Sequence, residues 1–307
     1  MKNDRLLEQT FQKYLDSNLD PEIGKQLCSI LPNFGLENEA RSLQLYLESG
    51  NEVVGKIEGG IWSDRRYFVG PYPPVNCQPG DLWFDVIELT LMVLIPHQSD
   101  PEMLEPNNNV LPAWVSTHPV YVWQFRAFLN LVKIGSKIIQ IDSPSDYLLP
   151  HRFNSQKATD FVTNLYHDEA IAYATWFGKG MGGQFELQGA RDFLFPEAFS
   201  QVLPAKMRLW DGMESPVSEF VRIAIGGNTI DKNDYEEAEL RDSGENESLP
   251  DRMLFEEWDA GENIGFCTTV NLALGLIDDS PKSTIFFDLL NRAYRDRKSR
   301  VLSQVLS

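Results

Sequence analysis

Apolar and polar residues alternate with helical spacing along the first fifty residues. Apolar residues recur three and four positions apart at Leu6, Leu7, Phe11, Tyr14 and Leu15, which predicts an amphipathic helix. Asp20 followed by Pro21 is an N-cap and first-turn pair, and two more helices are predicted over 23–31 and 37–47. We therefore expect residues 1–50 to form a helical extension, either a prop packed on the main domain or a protein-docking module.

After residue 51 the pattern changes to short apolar runs separated by glycine and proline, which predicts short strands joined by turns. The segment 78–81 places proline and glycine at the second and third positions of a tight turn. The run LTLMVLIP over 89–96 predicts a buried strand, because it is short, apolar and ended by proline. Residues 97–112 and 140–160 are predicted to be loops.

Two segments pass from an extended stretch into a helix. The first helix, within 120–133, is predicted to bury one face, made of Trp123, Phe125, Phe128, Leu129 and Val132. The second is predicted to start at Asp168 and to end at Gly178, before a flexible GKGMGG segment. Its predicted apolar side consists of Ala170, Ile171, Ala174 and Phe177.

The remainder of the chain mixes strands with helices. Strands are predicted in MRLWDG, in EFVRIAIGG over 219–227 and in IGFCTTVNLAL over 264–274, and a short helix over 185–194. An amphipathic helix with a basic outer face is predicted over 283–306. The pattern as a whole predicts an α+β fold, with a main domain over 51–280 and a C-terminal helix within 281–307.

The formal net charge of −18 is concentrated between Asn228 and Glu262, where acidic residues far outnumber basic ones. Such a surface repels nucleic-acid phosphates and anionic lipid headgroups. We therefore expect neither nucleic acid nor a membrane as a partner. A basic protein face, a cation or a neutral ligand remains compatible with this charge.

The three cysteines, Cys28, Cys77 and Cys267, are too few and too scattered for a disulfide framework or a zinc site. The start of the chain has no apolar core of a secretory signal, and the apolar stretch near Val86 is interrupted by Glu88 and too short to span a bilayer. We expect a soluble, cytoplasmic protein.

Seven short motifs in sequence order resemble those of one known superfamily, over roughly residues 82–275. Two of them introduce the helices described above. The first three motifs are MVLIP at 92–96; Pro119, Val120 and Gln124–Phe128; and a longer one made of Val162, Thr163, Asn164, Asp168, Ala170, Ala172, Tyr173, Trp176, Gly178 and Lys179. The later groups are Glu186, Ala190 and Arg191; Val217, Glu219 and Phe220; Gly226–Asn228; and Asn263–Phe266.

These motifs resemble the formylglycine-generating enzyme (sulfatase-modifying factor) superfamily. The resemblance implies a C-type-lectin-like domain with short strands, two main helices and long loops. The oxidases of that superfamily bind copper through two cysteines five positions apart, upstream of the closing motif. Here no cysteine lies between Gly227 and Ile264, and Cys267 stands alone. Because soft sulfur ligands in pairs hold Cu(I), the resemblance implies a scaffold without this redox centre, and Cys267 is predicted to be a small buried hydrophobe.

A related branch, the ergothioneine-type sulfoxide synthases, uses a His-x-x-x-His-x-Glu iron site. The histidines at 97, 118, 151 and 167 do not have this spacing. His167-Asp168-Glu169 offers groups for acid–base chemistry, but Asp168 is better explained as a residue at a helix N-terminus. His118 is predicted to pack inside the protein.

We therefore predict a non-catalytic binding protein that recognises a protein or a small ligand through irregular loops. Trp and Arg side chains anchor many interfaces, and the predicted site consists of Trp210, Asp211, Glu219, Arg222, Asn228, Trp258 and Asn263. Core filling is the competing explanation for the two tryptophans. The alternatives are a metal- or oxygen-dependent modifying enzyme, a retroelement-diversified variable protein and a purely structural subunit. The added helices also allow a homo-oligomer.

No cofactor is expected, and the one alternative is a structural calcium ion. Asp231, Asn233 and Asp234 supply hard oxygen ligands of the kind that calcium prefers. The segment lacks the spacing of an EF-hand loop, so a solvated loop is the preferred interpretation.

Overall fold

The computed structural model describes residues 2–49, 53–56, 65–74, 76–95, 112–134, 150–182, 208–210, 221–225, 252–256 and 264–271. Three helices, α1 (Lys2–Asp16), α2 (Pro21–Ile30) and α3 (Glu37–Ser49), form the N-terminal part, with a 3₁₀ turn at Leu31–Phe34. Asp20 caps α2, because its side-chain oxygen accepts hydrogen bonds from the backbone N–H groups of Glu22 and Ile23. The predicted helical extension and its cap are confirmed.

Eleven strands and two further helices occur among the described residues that follow. The strands are β1 (Val53–Lys56), β2 (Arg66–Gly70), β3 (Leu82–Asp85), β4 (Thr90–Ile95), β5 (Ala113–Ser116), β6 (Gly180–Met181), β7 (Arg208–Trp210), β8 (Val221–Ile225), β9 (Arg252–Glu256), β10 (Ile264–Gly265) and β11 (Thr268–Asn271). The helices are α4 (Val122–Ile134) and α5 (His167–Trp176), with a second 3₁₀ turn at Pro150–Phe153. The protein is therefore a mixed α+β structure.

Within the described ranges the strands pair into a seven-stranded sheet of order β1-β2-β3-β4-β5-β11-β6 and a four-stranded sheet of order β10-β7-β8-β9. Both sheets are mixed: β2 runs parallel to β3 and β10 runs parallel to β7, whereas the other pairs are antiparallel. Strand β4 confirms the buried strand predicted over 89–96. The turn before β3 is also as predicted: the N–H of Asp81 donates to the carbonyl of Gln78 at 3.0 Å, and Gly80 has φ 94°.

The central strands β4 and β5 of the seven-stranded sheet are buried on both faces. Val93, Ile95 and Val115 belong to the large core cluster on one side, whereas Met92, Leu94 and Trp114 belong to a second cluster. Side chains of successive strand residues point to opposite faces, so this alternation places one cluster on each side of the sheet. The motif residues Met92–Ile95 of β4 are therefore inside the protein.

The N-terminal helices share the large core cluster with the rest of the fold. Leu7, Phe11 and Tyr14 of α1 are fully buried, and the rings of Phe11 and Trp123 meet edge to face at 4.8 Å. The hydroxyl of Tyr67 in β2 donates a hydrogen bond to Oγ of Ser42 in α3. Such packing is what a prop on the main domain requires, while the domain boundaries at 50 and 280 stay predictions.

Four predictions about the middle of the chain are wrong or incomplete. Helix α4 buries the predicted Trp123, Phe125, Phe128 and Leu129, whereas the side chain of Val132 lies outside the described part of the structure. The helix is nevertheless buried on more than one face, since Val122, Gln124 and Ala127 are equally inaccessible. Ile171 is 39% exposed, although Ala170, Ala174 and Phe177 are buried as predicted. The predicted flexible glycine segment contains β6, which pairs with β11. The predicted loop 140–160 includes the second 3₁₀ turn.

Other predicted elements lie outside the described residues, namely the helices over 185–194 and 283–306 and, except for residue 112, the loop over 97–112. Among the helices that the structure describes, none combines the length and the apolar character needed to cross a membrane.

Candidate functional site

The seven residues of the predicted binding face fall unevenly on the structure. Trp210 lies at the end of β7 and Arg222 lies in β8, and the antiparallel register pairs Trp210 with Ala224. Because Arg222 is two positions from Ala224, the register places Trp210 and Arg222 on one face of the four-stranded sheet. The structure thus brings these two positions together. The remaining five lie outside the described residues: Asp211, Glu219, Asn228, Trp258 and Asn263.

The alternative calcium site at Asp231, Asn233 and Asp234 also lies outside the described residues. Across the part of the chain that the structure describes, no group of three or more His, Cys, Asp or Glu side chains is placed to hold a metal ion. The calcium site therefore stays a prediction.

A fully buried cluster of charges lies where the chain leaves α5 and meets the central sheet. Lys179, Asp85 at the end of β3 and Glu88 in the turn before β4 all have side-chain exposures of 0%. Nζ of Lys179 is 2.6 Å from Oδ2 of Asp85 and also forms an ion pair with Oε2 of Glu88. We call these three residues the buried charge cluster.

Local sequence positions each member of the cluster. Gly178 adopts the left-handed conformation, with φ 75°, and the N–H of Lys179 donates to the carbonyl of Ala174 at 2.8 Å, which ends α5. On the other side, Oδ1 of Asp85 accepts a hydrogen bond from the N–H of Ile87 at 2.9 Å and closes the turn between β3 and β4.

Neighbouring side chains satisfy further atoms of the cluster. Oγ1 of Thr268 donates to Oε2 of Glu88 at 3.0 Å, and Sδ of Met92 lies 3.4 Å from Nζ of Lys179. The ring centroid of Trp83 is 5.6 Å from the same nitrogen, within the range of a cation–π contact. The cluster therefore joins the end of α5 to β3, β4 and β11.

The charges of the cluster determine the protonation state of Lys179 and therefore its reactivity. Burial on its own would lower the pKa of Lys179, but the charges of Asp85 and Glu88 outweigh burial, so that its pKa is raised. Lys179 is therefore an ammonium group at neutral pH and has no free electron pair. It cannot act as a nucleophile or form a Schiff base in this state.

Cys267, the lone cysteine of the closing motif, is fully buried beside Ser116. Burial raises the pKa of its thiol to about 12, although a hydrogen bond with Ser116 acts in the opposite direction. Thiolates, not thiols, are nucleophiles and metal ligands. The prediction that Cys267 is a small buried hydrophobe is confirmed.

Gln124, from the QFRAF motif, stabilises the start of α4 and connects it to the charge cluster. Its Oε1 accepts a hydrogen bond from the N–H of Tyr121 at 2.9 Å, which is half of a capping box. Its Nε2 donates to the main-chain carbonyl of Glu88 at 2.7 Å and to Oγ1 of Thr90 at 3.1 Å. This motif residue therefore has a structural role.

Arg126, from the same motif, joins three segments. Its Nη1 lies 2.7 Å from Oε1 of Glu8 in α1, and its Nη2 donates to the carbonyls of Gln156, at 2.8 Å, and Phe153. The guanidinium thus holds α4 against α1 and against the segment that follows the second 3₁₀ turn. Its fork of donors suits this task, because several acceptors can be satisfied at once.

Arg152 and Glu169 form a second buried ion pair, in which Nη1 lies 2.8 Å and 2.9 Å from the two carboxylate oxygens. Nη2 of Arg152 donates to the carbonyl of Asn164 at 2.7 Å, and Oε2 of Glu169 accepts from the N–H of Tyr166 at 2.8 Å. The last contact caps α5. Glu169 is thus occupied in structure, and Asp168 lies in the first turn of α5, as predicted.

His118 packs among aromatic rings, as predicted. Its centroid is 4.7 Å from that of Tyr121 and 6.2 Å from that of Phe161, and Nδ1 lies 2.9 Å from the carbonyl oxygen of Pro119. Burial lowers the pKa of His118, so the imidazole is neutral at neutral pH.

Sequence reasoning missed the partners of Lys179. Asp85 lies in an apolar strand, and Glu88 stands out in the sequence only because it interrupts an apolar stretch. That interruption was the available signal, since a carboxylate within a buried run needs a partner that satisfies its charge. The sequence does not say which of the basic residues is that partner.

The chain was compared with protein-family models, with curated proteins and with solved structures, and no match was found in any of the three comparisons.

Proposed function

We propose that this chain is a non-catalytic binding protein built on a C-type-lectin-like scaffold of the formylglycine-generating-enzyme type. The observation that carries the proposal is the use made of the polar motif residues. The side chain of Gln124 caps a helix, and those of Arg126 and Lys179 form ion pairs within the fold. The mixed α+β architecture supports the same scaffold at a coarser level.

The state of the reactive groups also supports binding over catalysis. The thiol of Cys267 is buried and protonated, and the amine of Lys179 is charged and inaccessible. A nucleophile has to reach its substrate and to carry an electron pair. Neither group meets these two conditions in the described structure.

We place the recognition surface on the four-stranded sheet, at the face shared by Trp210 and Arg222. The two positions carry a tryptophan and an arginine, residue types that are frequent at interface hot spots. The partner is a protein or a small ligand, and an acidic group on it would complement Arg222.

The proposal is tested in two arms with the purified full-length chain. In the first, copper content is measured after incubation with Cu(I), and oxygen uptake is followed with a thiol-bearing peptide. We expect neither stoichiometric copper nor oxygen uptake. Oxygen uptake that disappears in a Cys267→Ser variant would overturn the proposal and establish the enzymatic alternative.

In the second arm, proteins and metabolites retained by the immobilised chain are identified by mass spectrometry. Specific retention is expected to be lost in Trp210→Ala and Arg222→Ala variants. An Ile171→Ala variant is the matched control, because Ile171 is an exposed apolar residue on α5. Equal retention by all variants would remove the four-stranded sheet as the recognition surface.

A further inference from the structure

The buried charge cluster has unequal numbers of positive and negative groups. Two carboxyl groups, Asp85 and Glu88, share one ammonium group, Lys179, and all three side chains are inaccessible to solvent. With every group ionised, the cluster would carry one net negative charge inside the protein. An unbalanced charge in such a place is costly, since neither water nor a counterion offsets the loss of hydration.

The groups around the cluster do not supply the missing positive charge. Among the described residues, the ion pairs of both carboxylates are to Lys179. Tyr14 of α1, His118 after β5 and Cys267 before β11 interact electrostatically with members of the cluster. Burial raises the pKa values of Tyr14 and Cys267 and lowers that of His118, so all three are neutral at neutral pH.

We propose that the buried charge cluster is a proton-binding site: the folded protein holds one extra proton, shared by Asp85 and Glu88, and the cluster is neutral overall. The carboxyl pair includes an oxygen atom that can carry this proton without losing a hydrogen bond. Oε1 of Glu88 accepts no hydrogen bond from the described residues, so protonation there displaces no donor. By contrast, Oε2 of Glu88 and Oδ1 of Asp85 accept bonds from Thr268 and Ile87.

The electrostatic effects agree in direction with this geometry. Burial raises the pKa of Asp85, the charge of Lys179 opposes the rise, and the charge of Glu88 adds to it, with a net increase. Two carboxyl groups that interact this closely titrate as a pair, and the proton belongs to the pair and not to one residue. The site is independent of the proposed binding function.

Proton binding of this kind links stability to pH. In the unfolded chain both carboxyl groups release their protons near pH 4. The stabilisation from the extra proton is therefore full below that pH, and it is lost as the pH rises through the higher value of the folded pair. Over this interval the unfolding equilibrium constant of the wild type rises about ten-fold per pH unit for one proton.

The test compares urea unfolding of the wild type and a Glu88→Gln variant between pH 5 and pH 7. The variant keeps the shape of Glu88 and leaves one carboxylate for one ammonium, so it has no extra proton. We expect the ratio of the two unfolding constants, wild type over variant, to rise with pH, by about 100-fold at most over these two pH units for one proton. A ratio that stays constant overturns the proposal. A Glu22→Gln variant, at an exposed carboxylate, is the control and should leave the pH dependence unchanged.

A second measurement uses the wild type alone, so it does not depend on whether a variant folds. Infrared spectra of the wild type at pH 7, with and without carbon-13 labels in Asp and Glu, are expected to show the carbonyl stretch of one protonated carboxyl group. Absence of that band overturns the proposal, and so does stoichiometric binding of a metal cation that neutralises the pair instead. Both results are independent of partner capture and oxygen uptake.

Discussion

Two lysine ion pairs of this protein have the same length and lie in opposite surroundings. Nζ of Lys25 is 2.6 Å from Oε1 of Glu22 on the surface of α2, and Nζ of Lys179 is 2.6 Å from Oδ2 of Asp85 in the interior. The surface side chains are 63% and 75% exposed, whereas the interior ones are 0% exposed. Water screens the first pair and is excluded from the second. An equal distance therefore does not mean an equal contribution to stability.

Two arginine ion pairs lie between these extremes. Arg152 and Glu169 have exposures of 7% and 0%, and Arg126 and Glu8 have exposures of 12% and 10%. If burial decides what the loss of one partner costs, the four pairs should respond to mutation in order of burial. The four predictions below follow that order.

The largest effect is expected for Lys179→Met, which leaves Asp85 and Glu88 buried without a cation. Removing one partner of a buried pair costs about 3–5 kcal/mol, because the remaining charge is uncompensated. The free energy of unfolding, measured with urea, should fall by about this amount. A matched triple variant, Lys179→Met with Asp85→Asn and Glu88→Gln, removes all charges together and should recover much of the loss. A single variant as stable as the wild type would contradict this interpretation.

Arg152→Met should come second, with a cost of about 3 kcal/mol, because the fully buried carboxylate of Glu169 would lose the guanidinium nitrogen that contacts both of its oxygens. The same change removes the hydrogen bond to the carbonyl of Asn164. Arg152→Lys serves as the comparison: it keeps the charge but cannot reproduce the fork, and should recover part of the loss. Thermal unfolding of both variants measures the difference, and equal melting temperatures for Met and Lys would contradict it.

Glu8→Gln should have a small effect that depends on pH. Burial raises the pKa of Glu8 and outweighs the opposing effect of Arg126. The folded state thus holds the proton of Glu8 more tightly than the unfolded state, and this stabilisation is present below about pH 4 and lost as the pH rises through the folded value. At pH 7 we expect a loss of about 1 kcal/mol, because Gln can still accept a hydrogen bond from Arg126, which also keeps its bonds to the carbonyls of Phe153 and Gln156. A loss above about 2 kcal/mol would instead indicate a strongly stabilising ion pair.

Lys25→Ala is expected to change nothing that unfolding measurements detect. Both side chains are exposed to water, and the side-chain entropy that they lose on pairing offsets the screened attraction. A clear loss of stability at moderate salt that disappears at high salt would show that the surface pair contributes after all, and would weaken the contrast with Lys179.

Several elements of the fold were predictable from the sequence, and the prediction that failed shows where such reasoning stops. The start of α2 and the end of α5 followed from Asp20, Pro21 and Gly178, because caps act on backbone groups a few residues away. Ile171 was placed in the core by its apolar character, yet it is 39% exposed. Helical spacing gives the angular order of residues around an axis, but the width of the buried sector depends on the neighbouring elements.

The candidate binding face was predictable only in part. The register of β7 and β8 places Trp210 and Arg222 on one face, a relation that their separation in the sequence does not reveal. Strand pairing is decided by long-range contacts between faces and edges, and a shift of one residue would place them on opposite sides.

The sequence by itself determined the local features of this protein: the three N-terminal helices, the turn at 78–81, the strand over 90–95 and the burial of Cys267. These depend on apolar periodicity and on hydrogen bonds between residues close in the chain. Only the tertiary structure decided that Lys179 meets Asp85 and Glu88, and that the glycine segment after α5 becomes a strand beside β11. The partners in those contacts are distant in the chain, so the strength of each contact depends on how the surrounding core packs and excludes water.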